Sequence, residues 1–283
     1  MPVRVVESNQ NARLKQLRKA LGAPGRDVRG PVGIEGPKLL EEALRAGLNV
    51  QTVFVAQGSE RLLNPLHLPS EMEILRVPRA VLDAALATET PQAVAALVEP
   101  PRWSWTHLIG AGSSTSLIVV LAGIQDPGNL GTILRSAEAF GATGVVSLPG
   151  TVSAWNPKAV RASAGSVFRV PLVAASEKDC LERLRQGGAR VLATTVRTAQ
   201  PANKVDLAGS VALIIGNEGN GVPSDLAAQA DGKITIPCPG PVESLNAAIA
   251  ASVLLYEAAR QRSANTANPA AHPIRQKAAG SAR

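Results

Sequence analysis

Three stretches of this chain set polar side chains beside tight glycine or proline loops. The first, DPGNLGTILR, has Asn129 at a helix start and Arg135 six residues on. Helical periodicity gives those two neighbouring azimuths. Arg135 falls on a face that is otherwise small and apolar, with Ile133, Ala137 and Ala139. An arginine in so uncharged a helix suits a buried site facing a phosphate, which its planar fork grips. The second stretch, GNEGNG, sets Glu218 and Asn217 among Gly216, Gly219 and Gly221. Its glycines lack the GxGxxG spacing, no Gly-Lys-Ser/Thr follows, and Glu218 would repel a pyrophosphate. A glycine loop bearing a carboxylate suits a cationic or ribose-bearing ligand. In the third, IPCPGPVESLNAA, Pro237, Pro239, Gly240 and Pro241 stiffen a loop. Ser244 and Asn246 follow at the mouth of a long alanine-rich helix, where free backbone N–H groups and a polar side chain can hold a ligand.

The apolar pattern supplies a scaffold for these loops. From residue 117 onward, strands are expected at 117–123, 144–148, 190–196, 211–215 and 233–236, with a short strand or loop at 167–171. Helices are expected at 129–140, 159–164 and 178–186, with a last one after Asn246. Near-continuous Val/Ile/Leu strands alternating with helices predict an α/β fold whose mostly parallel sheet is covered on both faces. The three loops then stand at the C-terminal ends of strands, where such folds bind ligands. Upstream, strands at 32–34 and 50–55 flank a helix that Gly47 ends, a β-α-β unit. A weaker unit follows with strands at 73–77 and 93–98 around a helix at 79–86. The expected organisation is a small α/β domain at 1–100, a linker at 101–116, a larger domain at 117–262 and a basic disordered tail at 263–283. Trp103 and Trp105 are expected to pack at the domain junction.

The chain has 283 residues and a net charge of +7. Residues 1–30 carry seven Lys/Arg against two acids, and residues 261–283 carry four and no acid, so the excess sits at the ends. Basic ends suit a polyanion such as RNA. The clearest case is residues 11–20, an amphipathic helix with Leu14 and Leu17 on one side and basic residues between. With aromatics at 2%, recognition by base stacking is not expected to dominate. Cys180 and Cys238 lack CxxC spacing, and His67, His107 and His272 make no ligand pattern, so no metal site is expected. Arg4 and Glu7 interrupt the start, and the apolar run at 117–124 is too short to span a bilayer. These features predict a soluble, cytoplasmic protein without a membrane partner.

In this order and spacing, DPGNLGTILRSAEAFGATGV, IIGNEGNGVP and IPCPGPVESLNAAIAASVLLYE resemble the three motifs of the SpoU family, the TrmH-like branch of the SPOUT methyltransferases. NPKAVRASAGS resembles the family's segment between the first two motifs, and EGPKLLEEAL its ribosomal-protein-like substrate-binding module. The likeness covers about residues 4–260. It departs where many members have a methionine after the proline loop and this chain has Pro241-Val242.

The resemblance implies methyl transfer from S-adenosylmethionine to a ribose 2′-hydroxyl of RNA. It also implies a C-terminal trefoil knot and a homodimer whose site uses both subunits. Carried over residue by residue, it assigns Arg135 to the target phosphate and hydroxyl, and Asn129 to orienting the ribose or Arg135. Glu218 would position a partner's arginine or the cofactor end, while Ser244 and Asn246 would shape the pocket. The cofactor would lie among Thr194, Thr195 and Val196; Ile215, Gly216, Asn217 and Gly219; and Ile236, Pro237 and Leu245. RNA would meet Arg13, Lys15, Arg18, Lys19, Lys38, Lys158 and Arg161. The separate N-terminal domain with its basic first helix favours 23S rRNA over tRNA. A non-catalytic RNA-binding protein of the same fold is the alternative of a different class.

Overall fold

The computed structural model describes residues 3–6, 8, 10–22, 30–86, 88–109, 115–196 and 199–267. Its first sheet is built from β1 (Val3–Val5), β2 (Val32–Glu35), β3 (Val50–Ala56), β4 (Glu73–Val77) and β5 (Val94–Val98), in the order β1-β4-β3-β5-β2. Helices α1 (Ala12–Leu21), α2 (Pro37–Arg45) and α3 (Arg79–Leu86) accompany it. The expected β-α-β unit is split. β5 lies between β2 and β3 and runs antiparallel to both. Every residue of β5 is buried, as suits a strand inside the sheet. β1, which the pattern did not reveal, joins β4 in parallel at the far edge. In α1, the Asn11 side chain accepts from the N–H groups of Arg13 and Leu14, a cap that starts the helix.

The expected linker holds a helix. It contains α4 (Trp105–Ile109), whose Leu108 is fully buried. Trp103 and Trp105 pack on the core of the larger sheet. That sheet has seven strands in the order β10-β12-β9-β11-β6-β7-β8. They are β6 (Leu117–Ala122), β7 (Gly144–Ser147), β8 (Leu172–Ala174), β9 (Arg190–Thr194), β10 (Gln200–Pro201), β11 (Val211–Gly216) and β12 (Gly232–Thr235). Each neighbouring pair is parallel. Between them run α5 (Pro127–Ala139), α6 (Pro157–Ala162), α7 (Glu177–Gln186) and α8 (Ser224–Ala228), and α9 (Ala247–Ala267) closes the chain. The strand allowed for at 167–171 falls instead at β8, after a 3-10 turn at Ser166–Phe168.

Alternate residues of β6 explain the two covered faces. Leu117, Val119 and Leu121 join the cluster built with α5, α6 and α9. Ile118, Val120 and Ala122 join the cluster built with α4, α7 and α8. Strand periodicity sends neighbours to opposite faces, and both are apolar here. The first cluster also includes Val32, Ile34 and Val53 of the small sheet and Leu39 of α2, so the two units share one continuous core.

Gly131 sets how closely α5 meets α6. A Cβ there would stand 2.4 Å from the Ala159 carbonyl oxygen and 2.6 Å from the Ala162 Cβ. Gly131→Ala is therefore expected to destabilise the chain by about 1–3 kcal/mol through overpacking. Denaturant unfolding of the two proteins measures this.

Candidate active site

The strands β6, β9, β11 and β12 are neighbours, and their C-terminal ends carry the polar loops. After β6 the chain turns at Gly123 (φ 79°) and reaches Asp126, the N-cap of α5. The Asp126 carboxylate accepts from the Asn129 N–H at 2.9 Å and from Lys158 Nζ at 2.8 Å. Lys158 and the nearby N–H groups hold that carboxyl below its ordinary range. Asn129 is thus the third residue of the helix rather than its start, and its side chain is free to reach outward.

Asn129 joins all three loops. Its Nδ2 donates to Glu218 Oε1 at 2.6 Å, and its Oδ1 accepts from Asn246 Nδ2 at 3.0 Å. Asn246 Oδ1 in turn accepts from the N–H groups of Ala248 and Ile249, capping α9. The direction of this chain is forced. An ionised carboxylate only accepts, so each amide must turn its NH2 group toward Glu218 and its oxygen the other way. A second tie links the loops after β6 and β11: Asn217 Nδ2 donates to the Gly123 carbonyl at 2.8 Å. Asn217 Oδ1 folds its own turn by accepting from Gly219 N–H at 2.8 Å.

Gly216 is a backbone-only position. A Cβ would lie 2.0 Å from the carbonyl carbon of Gly221 and 2.2 Å from Val222 N. Ile215 is buried in the core, so it offers only its backbone to the cleft. Among the described residues, the peptide groups of 237–245 make no backbone–backbone hydrogen bond. Pro237, Pro239 and Pro241 fix their path instead. Such uncommitted N–H and C=O groups beside a side-chain-free strand end fit a ligand recognised by backbone. Ile236 and Leu245 are half-buried beneath that loop. Thr194 gives its hydroxyl to the Ile214 carbonyl at 2.8 Å, and Thr195 N–H bonds the Ile234 carbonyl at 3.0 Å. These two knit the strand ends together, while Val196 is exposed.

Residues 116–256 match the SpoU rRNA Methylase family, and residues 11–96 match the MRM3-like substrate binding domain. The chain is 32% identical to the 23S rRNA (guanosine(2553)-2'-O)-methyltransferase RlmP of Bacillus subtilis, over 89% of this chain and 97% of that one. The chain belongs to the SpoU family. The 23S rRNA (guanosine-2'-O-)-methyltransferase RlmB of Xanthomonas campestris is 35% identical over 76% of this chain and 90% of its own. The AdoMet-bound rRNA methyltransferase from Sinorhizobium meliloti superposes with a TM-score of 0.78 at 32% identity, covering 91% of this chain and 98% of that one.

Several expected residues of this SpoU chain stand elsewhere than the pattern suggested. Arg135 is exposed, while Ile133 and Ala137 of the supposed shared face are buried. The apolar side of α5 turns into the core and leaves the arginine on the other. Ser244 is exposed and outside the Asn129 chain. Arg13 pairs with Glu73 at 3.1 Å, Lys38 with Glu41 at 3.2 Å, and Lys158 with Asp126. Arg161 stands 3.8 Å from Glu35. Only Lys15, Arg18 and Lys19, of the expected RNA contacts, are exposed without an acidic partner among the described residues. Also among these residues, no cluster of His, Cys, Asp or Glu could hold a metal ion, and no helix is long and apolar enough to cross a membrane.

Two supports of the site escaped the sequence reading. Asp126 was legible as an N-cap before Pro127. Thr151 was not: its hydroxyl donates to the Leu121 carbonyl and accepts from Gly123 N–H, pinning the loop after β6 from a distant segment. Asn129→Asp keeps the shape but sets a carboxylate against Glu218. It is expected to break the bridge and cost about 0.5–1.5 kcal/mol, the net worth of a solvent-exposed hydrogen bond. Thermal unfolding of the variant beside the parent protein at neutral pH reads the loss.

Proposed function

We propose that this chain transfers the methyl group of S-adenosylmethionine to a ribose 2′-hydroxyl of RNA, with 23S rRNA as substrate. The observation that carries the reading is Asn129 holding Glu218 and Asn246 together at the C-terminal edge of a parallel sheet, in a SpoU chain. Support for the rRNA target comes from the named activities of its relatives, and support for the cofactor from the AdoMet-bound neighbour. The backbones of 194–196, 215–219 and 236–245 would hold the cofactor. When bound, it supplies an electrophilic methyl group on a sulfonium, which needs no phosphate cradle. The rigid loops hold the acceptor in line, and orientation of this kind provides much of the rate. The same reading takes the crossings among β9, β10, β11 and β12 as the place of the family's trefoil knot.

Arg135 is the residue assigned to the target. A guanidinium stays protonated in proteins, so its role is to bind the phosphate and polarise the hydroxyl rather than to accept its proton. Its exposure fits a site completed by a second copy. Contacts between Asn129 and Asn246, Ser136 and Ser252, and Phe140 and Tyr256 show that α5 and α9 run side by side in one direction. On α9, Ile249, Val253 and Tyr256 are 53%, 38% and 56% exposed. The opposite side of α9 is buried through Ala248, Ala251, Leu255 and Ala258. A helix apolar on both sides is one that is covered on both. We take the cover to be the same helix pair of a second copy, in a symmetric dimer.

Lys15, Arg18 and Lys19 would meet RNA phosphates, so binding should weaken as salt rises. Arg135→Ala is expected to retain cofactor binding by calorimetry and to lose methyl transfer to 23S rRNA by at least about 100-fold, the scale of a lost charge-stabilising group. Full turnover by this variant would sink the assignment. Val253→Glu should convert the dimer to a monomer in sedimentation and remove transfer with it.

A further inference from the structure

One arginine reaches both units of the chain. Arg169 follows the 3-10 turn Ser166–Phe168 and is one-third exposed. Its Nη1 donates to Glu42 Oε2 of α2 at 2.8 Å. Its Nε and Nη2 grip the Glu138 carboxylate of α5, the second at 3.1 Å. A guanidinium has five N–H donors fixed in one plane, so it grips one carboxylate with two of them while a third serves the other, a fork that a lysine ammonium lacks. Gly165, at φ 92°, clears the way: a Cβ there would stand 2.7 Å from the Glu42 Cβ.

A second polar contact lies along the same seam. Glu35 of β2 has a side chain only 3% exposed. Its Oε1 accepts from Thr88 Oγ1 at 3.1 Å and Gln92 N–H at 2.8 Å. Its Oε2 has no hydrogen bond and faces Arg161 Nη1 of α6 at 3.8 Å. Between these polar points the seam is apolar, with Leu21, Ile34 and Leu39 meeting Pro157 and Val160 around one small cavity. Leu21 is the last residue of α1, so the helix with the unpaired basic residues ends at the cavity that α6 also lines. α6 is locked to α5 at Gly131, two residues past Asn129.

We infer that Arg169 is a positioning residue that clamps the N-terminal unit to the site helix and so fixes Lys15, Arg18 and Lys19 at one distance from Asn129. Interfaces between domains of one chain allow relative motion by default. Here the shared core supplies adhesion, and the Glu42–Arg169–Glu138 bridge supplies a single orientation. The kinetic consequence rests on the methyl-transfer reading above: RNA held on α1 would meet the cleft in register only when the unit is seated.

The test uses the full chain with Glu42→Gln, Arg169→Met and, as a control on the same helix, Arg45→Gln, which removes an exposed partner of Glu42 without touching Arg169. Hydrogen exchange, steady-state methylation of a 23S rRNA fragment and calorimetric titration with S-adenosylmethionine are measured. Glu42→Gln and Arg169→Met are expected to speed exchange in α2 and in residues 157–169. They should raise KM for RNA by about tenfold or more, the scale of a lost charge-assisted hydrogen bond. The kcat at saturating RNA and the cofactor affinity should hold, and Arg45→Gln should match the parent protein. Unchanged exchange in the two clamp variants would overturn the clamp. So would a cofactor affinity that falls alongside the RNA KM, or a control that behaves as they do. If the parent protein methylates no RNA, the functional reading fails, and the exchange comparison still decides the clamp.

Discussion

The carboxamide of Asn129 has one acceptor and two N–H donors, and here it spans two loops that share no backbone. Glu218 accepts a hydrogen bond from its NH2 group, and Asn246 donates one to its oxygen. Because a carboxylate can only accept, the order of donors runs one way, from the Asn246 amide to Glu218. The remaining Asn246 oxygen then starts α9. One polarity therefore fixes a loop, a bridge and a helix cap together. Asn129 is half-buried and Glu218 and Asn246 are exposed, so the bridge depends on rigid supports beneath it rather than on packing around it.

The parallel sheet is that support. Its central strands are apolar on both faces, and helices cover each. All four strand ends that carry the loops therefore emerge at one edge, held in register by the ladder. Small residues then bring the helices close enough to matter. Gly131 lets α6 reach α5, and the alanines of α9 let Ser136 approach Ser252 to 2.7 Å. Ser252 gives its one proton to the Ala248 carbonyl at 2.7 Å, so Ser136 is the donor between them.

Charge count is a poor guide to which cations are available. The basic excess at the C-terminal end includes Arg262, yet that side chain donates to the Gly209 carbonyl at 2.7 Å and the Ser116 carbonyl at 2.9 Å. Gln261 beside it bonds the 205–207 segment. The end of α9 is thus stitched to the body, and the helix continues to Ala267, into the span expected as tail. Residues 268–283 lie outside the described residues. On the N-terminal side, Arg13 and Lys38 are engaged by acids, and α1 keeps Lys15, Arg18 and Lys19 uncommitted.

By itself the sequence determined the element types and the composition of the loops. Strand and helix periodicities are local and strong, and DPGN, GNEGNG and PGPVESLN differ too much from ordinary turns to pass as connectors. It also carried the family likeness, because motif order survives without geometry. Pairing was decided only in three dimensions. Nothing local tells β5 to enter between β2 and β3, since burial on both faces is satisfied by any central place in a sheet. Arg135 is a different case: Leu130, Ile133, Leu134 and Ala137 recur at helical spacing and form the buried stripe of α5, and that local spacing leaves Arg135 on the outer side. Thr151, Lys158 and Arg169, like β5, gained their roles only in three dimensions. A hydroxyl or a cation is defined by the partner opposite it, and those partners come from segments that meet only when the chain has folded.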